Sequence, residues 1–110
     1  MDDLWMLTYD VRGEDRSTAV RVCHLIFGRK NSTTKDGRPW TYDQPGFIHR
    51  TGVVWVGQSV LILPRVDALE LRSHLERMGV LVGLGRLSID ESNLAVFRRH
   101  SRARKARVSS

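Results

Sequence analysis

The stretch Leu4-Trp5-Met6-Leu7-Thr8-Tyr9-Asp10-Val11 decides the fold. It is apolar and aromatic, too short for a typical helix, and closed by Arg12-Gly13, so it reads as a buried strand with Asp10 at its C-terminal end. Asp15 or Ser17 then caps a helix running to about Phe27, with Ala19, Val22, Cys23 and Ile26 as its buried stripe and Gly28 as its stop. Residues 29–46 are dense in turn formers and lack either periodicity, which reads as a long loop. Strand character returns from Phe47 to Val56 and again from Ser59 to Leu63, the two runs meeting at a tight turn through Gly57-Gln58. Pro64 ends the second run. Asp67 with Glu70 three positions on resembles a capping box for a helix to Met78, whose apolar face is Ala68, Leu71, Leu75 and Met78. Gly79 ends that helix, and residues 80–89 form a last strand, weakened or bulged by Gly83 and Gly85.

The resulting order of strand, helix, strand, strand, helix, strand is an α+β, ferredoxin-like βαββαβ arrangement, a four-stranded antiparallel sheet with two helices on one face. Its helix-free face should still carry Trp5, Leu7, Val54 and Val60, which ought not all to meet water. A homodimer packed through that face or through an edge strand would cover them, and so would the long loop folding back.

A chain of 110 residues with 41% hydrophobic and 27% charged residues makes one soluble domain, here residues 1–97 with the loop at 29–46. No secretory signal opens it and no apolar run approaches a membrane span, so the expectation is a cytoplasmic protein without a membrane partner. One cysteine, Cys23, excludes an internal disulfide and a zinc finger, and on the expected buried stripe it is inert packing. The net charge of +6 is uneven: all twelve acidic residues lie at or before Glu91, which leaves residues 1–97 formally neutral. The excess sits on residues 98–110, read as a flexible basic tail in which Arg98, Arg99, Arg102, Arg104, Lys105 and Arg107 either bind a polyanion or aid solubility.

In the 29–46 segment, Arg29, Lys30, Lys35 and Arg38 are interleaved with Trp40 and Tyr42, a mixture that neutralises phosphates and stacks on an exposed base. The plainer reading is a polar loop that Trp40 pins to the body. Arg50 and Arg65 could add to a basic surface. Gly83-Leu84-Gly85 is too little for a phosphate loop, and His24, His49, His74 and His100 are scattered singly. Asp10 stands out, because strands disfavour aspartate and a lone buried carboxylate is costly. It either bonds the turn that follows or serves as a metal ligand or general base. In a dimer, two copies could share an oxygen-preferring divalent ion suited to phosphodiester hydrolysis.

The run Leu7-Thr8-Tyr9-Asp10-Val11 before a polar turn and amphipathic helix, with Gly57-Gln58-Ser59-Val60-Leu61-Ile62-Leu63-Pro64 before a second helix, resembles the CRISPR-associated Cas-two family. VapD-type ferredoxin-like toxins share the aspartate-bearing first strand. The resemblance spans most of residues 4–89. It implies a homodimer that contacts double-stranded nucleic acid, acting as a metal-dependent nuclease in some members and as the adaptor of spacer integration, hence in antiviral defence, in others. It places Asp10 on the family's metal-binding aspartate, with Mg2+ or Mn2+ as the cofactor, and Ser59 on the serine of the second motif. The expected function is a nucleic-acid-binding dimer, with Asp10 as the catalytic candidate. The alternative is a non-catalytic regulatory or protein-interaction module of the same fold.

Overall fold

The computed structural model describes residues 3–13 and 15–109, with side chains placed as far as Ala103. The opening run forms β1 (Leu4–Asp10), and α1 (Arg16–Phe27) follows on an Asp15 cap whose carboxylate accepts the Thr18 N–H at 3.0 Å. Next come β2 (Arg29–Lys35), β3 (Arg38–Gln44), a 3-10 turn at Phe47–His49, β4 (Val54–Gly57), β5 (Val60–Pro64), α2 (Arg65–Arg77), β6 (Leu81–Arg86) and α3 (Glu91–Ser109). No helix among the described residues is long and apolar enough to cross a membrane.

The main sheet is four-stranded and antiparallel throughout, in the order β4-β5-β1-β6. Register pairs Leu7 with Leu61 and Leu84, and Trp5 with Leu63, so these side chains share one face. On that face α1 supplies Val22 and Ile26, and α2 supplies Ala68, Leu71 and Leu75, closing a single core. The architecture is α+β and compatible with a ferredoxin-like arrangement, but it carries an extra pair of strands after α1 and a third helix at the end.

Several expectations are corrected. Residues 29–46 are not a loop: β2 and β3 make a second, two-stranded sheet in regular register from Arg29–Gln44 to Lys35–Arg38. The turn is Asp36-Gly37 with φ of 53° and 77°, the double left-handed geometry that a two-residue hairpin requires and that this dipeptide adopts readily. Turn formers at both ends and threonines within, rather than aliphatic residues, hid the pattern. Residues 98–109 are not an irregular tail, since they continue α3. Arginine, lysine and alanine favour helix, and basic residues concentrated toward its C-terminus complement the helix dipole, with Glu91 at the other end.

That helix also explains the second sheet face. Leu94 and Phe97 of α3, with Leu87 and Ile89 before it, pack on Val54, Val56 and Ile62. Thus Val54 is covered within the chain, while Trp5 and Leu7 belong to the opposite, helix-covered face; neither an external copy nor a folded-back loop is needed for them. Met6 and Leu81 stay exposed on the remainder, beside Thr8 and Asp10.

Smaller differences have local causes. Phe47–His49 turns instead of extending, because Gly46 lies so close to Ile26 and Gly28 that a Cβ would run into their backbones, and the Gly46 N–H donates to His49 Nδ1 at 3.1 Å. The second helix starts at Arg65 on a Pro64 cap, two residues before Asp67, and Asp67 and Glu70 hold Arg50 at 3.1 and 2.8 Å instead of forming a capping box. Pairing of β6 with β1 is regular, without a bulge, and a Cβ at Gly83 would lie 2.7 Å from Thr8 Oγ1, so a side chain there would have to displace that hydroxyl. Ala19 and Cys23 are exposed, since α1 turns Val22 and Ile26 inward with Leu25 beside them.

Candidate nucleic-acid interface

The β2–β3 hairpin is held at its root and free along its length. At the root, Gly28 has φ 81° and abuts Gln44 and Gly46, an approach closed to any side chain. Beyond it every residue of both strands is exposed except Asn31, which is half-buried, so neither face of the ribbon packs on the body. The molecule is extended: its radius of gyration of 15.3 Å exceeds the roughly 13 Å of a compact chain of this length, and its long axis reaches 52 Å.

Strand alternation sorts the ribbon's side chains. Cross-strand partners share a face, so Arg29 and Gln44, Asn31 and Tyr42, Thr33 and Trp40, and Lys35 and Arg38 line one side. That side holds three basic residues and both aromatic rings of the ribbon, and no carboxylate. The other side holds Lys30 opposite Asp43, then Ser32 with Thr41 and Thr34 with Pro39. Of the residues expected to bind nucleic acid in this segment, Arg29, Lys35, Arg38 and Trp40 are brought together, and Lys30 is separated from them. Tyr42 joins the group.

Trp40 does not pin the segment to the body; it is 53% exposed and Tyr42 is 49% exposed. Lys35 Nζ lies 5.6 Å from the Trp40 ring centroid, a cation–π contact within the same face. Asn31 Nδ2 donates to Gln44 Oε1 at 2.6 Å, which ties the two strands near the root. There the ribbon face meets a cleft that Arg29 and Gln44 share with Arg21 and His24 of α1. His49 faces the adjoining hollow; its Nδ1 accepts the Gly46 N–H, so the neutral ring carries its proton on Nε2.

Other candidate residues lie apart from this face. Arg50 spans Asp67 and Glu70 and covers the Phe47 ring at 3.9 Å, which makes it a structural clamp. Its hydrogen bond to Glu70 raises the guanidinium pKa and holds the Glu70 carboxyl below its ordinary range. In α3, Arg98 bonds Glu91 at 2.7 Å, while Arg99 and Arg102 are exposed. The side chains of Arg104, Lys105 and Arg107 fall outside the described residues. Asp10 is exposed at the end of β1, opposite Leu81, in a shallow cleft with Thr8 and Gly83. Among the described residues no group of three histidine, cysteine, aspartate or glutamate side chains stands together as a metal site.

The signal that sequence reading passed over is Lys35-Asp36-Gly37-Arg38, because recognising the hairpin also assigns the faces. No protein-family model matches the chain, and no curated protein and no solved structure matches it either.

Proposed function

We propose that this protein binds nucleic acid through the β2–β3 hairpin, with α3 as a second basic contact. The observation that carries the reading is the sorting of Arg29, Lys35, Arg38, Trp40 and Tyr42 onto one solvent-facing side of a ribbon without a carboxylate among them. Such a face displaces condensed counterions through its cations and offers rings to bases, two contributions that polyanions with aromatic bases satisfy together. The Cas-two resemblance, carried by other residues, also implies contact with nucleic acid.

The test is filter binding of mixed-sequence DNA and RNA over a range of salt, for the native chain and for Arg29→Ala/Lys35→Ala/Arg38→Ala. The native chain should bind with log affinity falling linearly in log salt, and the triple variant should lose about two to three units of that slope. Equal slopes would remove the hairpin from the interface. Including magnesium or manganese and Asp10→Ala in the same series asks whether any cleavage accompanies binding and whether it needs that carboxylate.

A second reading is carried by Leu81, 72% exposed opposite Asp10 at the start of the outer strand β6. An apolar edge of this kind suits pairing with a second copy of the chain, as the homodimer proposal requires. Light scattering of the native chain and of Leu81→Asp tests it: a dimer that the substitution converts to monomer supports the edge, and a monomeric native chain rejects it.

A further inference from the structure

We infer that the strand seated on the hairpin is single-stranded, with a base held by Trp40 and Tyr42 and the neighbouring phosphates met by Arg29 on one side and by Lys35 and Arg38 on the other. The inference rests on the nucleic-acid reading above and specifies its ligand.

Four observations lead to it. Trp40 and Tyr42 lie two positions apart on the same strand face, and both are about half exposed. Two positions along an antiparallel strand measure about 6.8 Å, which is the space one base needs when it stacks at about 3.4 Å from each of two rings. Bases of a duplex are closed between their neighbours, so exposed rings on a narrow ribbon gain stacking only from an unpaired strand.

The charges are placed to match. Arg29 sits on the root row of this face, and Lys35 with Arg38 on the tip row, with the two aromatic rows between them. The ribbon from Arg29 to Lys35 is about 20 Å long, enough for a short run of nucleotides whose backbone passes the cations while bases enter the middle. Past Arg29 the same path reaches Arg21 and His24 in the root cleft.

The test uses the full chain, with fluorescein-labelled oligothymidylate of about eight nucleotides and a duplex of equal length, read by anisotropy at several salt concentrations. Trp40→Ala should weaken oligothymidylate binding about ten-fold or more with an unchanged salt slope, and Trp40→Phe should restore most of the affinity. Arg38→Ala should instead lower the salt slope by about one. Duplex affinity should be weaker and indifferent to Trp40→Ala. Because Trp40 and Tyr42 are exposed on a strand that buries nothing, circular dichroism of the variants should match the native spectrum. Tighter duplex binding, or an oligothymidylate affinity indifferent to both Trp40→Ala and Tyr42→Ala, overturns the single-strand assignment while leaving nucleic-acid binding in place. Absence of salt-sensitive binding to either probe overturns both.

Discussion

The backbone N–H of Trp55 donates to Ser101 Oγ at 2.9 Å, a bond that joins the outer strand β4 to a helix 46 positions further along the chain. Beside it, His100 stacks on the Trp55 ring with centroids 5.5 Å apart. Outer strands expose unpaired backbone groups, and here α3 occupies that side of β4.

Ser101 is therefore expected to tolerate little change. It is buried, and Ser101→Ala removes an acceptor from a main-chain donor, at a cost of about 1–2 kcal/mol. Urea denaturation should show a lower midpoint with an unchanged m-value; an unaltered midpoint would mean that the bond contributes nothing to holding α3.

Leu94 is the apolar anchor of the same helix, packed with Val54 and Ile62. Leu94→Ala should cost about 3 kcal/mol through the cavity it leaves. A loss below roughly 1 kcal/mol would show that α3 contributes little to covering the sheet.

Both capped helices respond to acid. Asp15 accepts the Thr18 N–H and Asp90 accepts the Asn93 N–H at 3.1 Å, and these bonds lower each carboxyl pKa from its ordinary value of 3.8. The folded values lie below the unfolded ones, so the stabilisation is complete above the ordinary value and is lost as pH falls through the folded one. Thermal melts should show Asp15→Ala and Asp90→Ala lowering Tm at about pH 7 and converging on the native chain near pH 2. A gap that persists in acid would contradict the ionised cap.

Gly46→Ala should be among the most damaging single substitutions outside the core, at about 3 kcal/mol or more, because the added Cβ meets main-chain atoms of Ile26 and Gly28 that cannot rotate away. Gly57→Ala, with open space around it, serves as the comparison and should cost far less. Equal melts for the two would refute the close approach at the hairpin root.

How legible the molecule was from its sequence depended on where the determining contacts lie. β1, α2 and β5 follow from local apolar patterns, and the antiparallel sheet with helices over Leu7, Leu61 and Leu63 follows from their order. The hairpin escaped because its strands pair only with each other and bury nothing, so no hydrophobic alternation marks them; the turn dipeptide Asp36-Gly37 was the sole strong cue. Helix α3 escaped because its contact stripe is thin, with Leu94, Phe97 and Ser101 spaced along an otherwise charged run. The basic and aromatic candidates were visible as residue types, whereas their division between two faces required the register. Asp10 bears no burial cost, since it lies in the open at a strand end, and an apolar run in sequence does not by itself say which of its ends is covered.

A ribbon whose side chains support no part of the body has a different relation to mutation than the sheet does. Substitutions between Lys30 and Asp43 change which surface the molecule presents while leaving Leu7, Leu61 and Leu71 in their places. The chain thus keeps its requirements for folding and its means of recognition in separate stretches of sequence. A descendant could acquire a new ligand by rewriting one hairpin, at almost no risk to the scaffold that carries it.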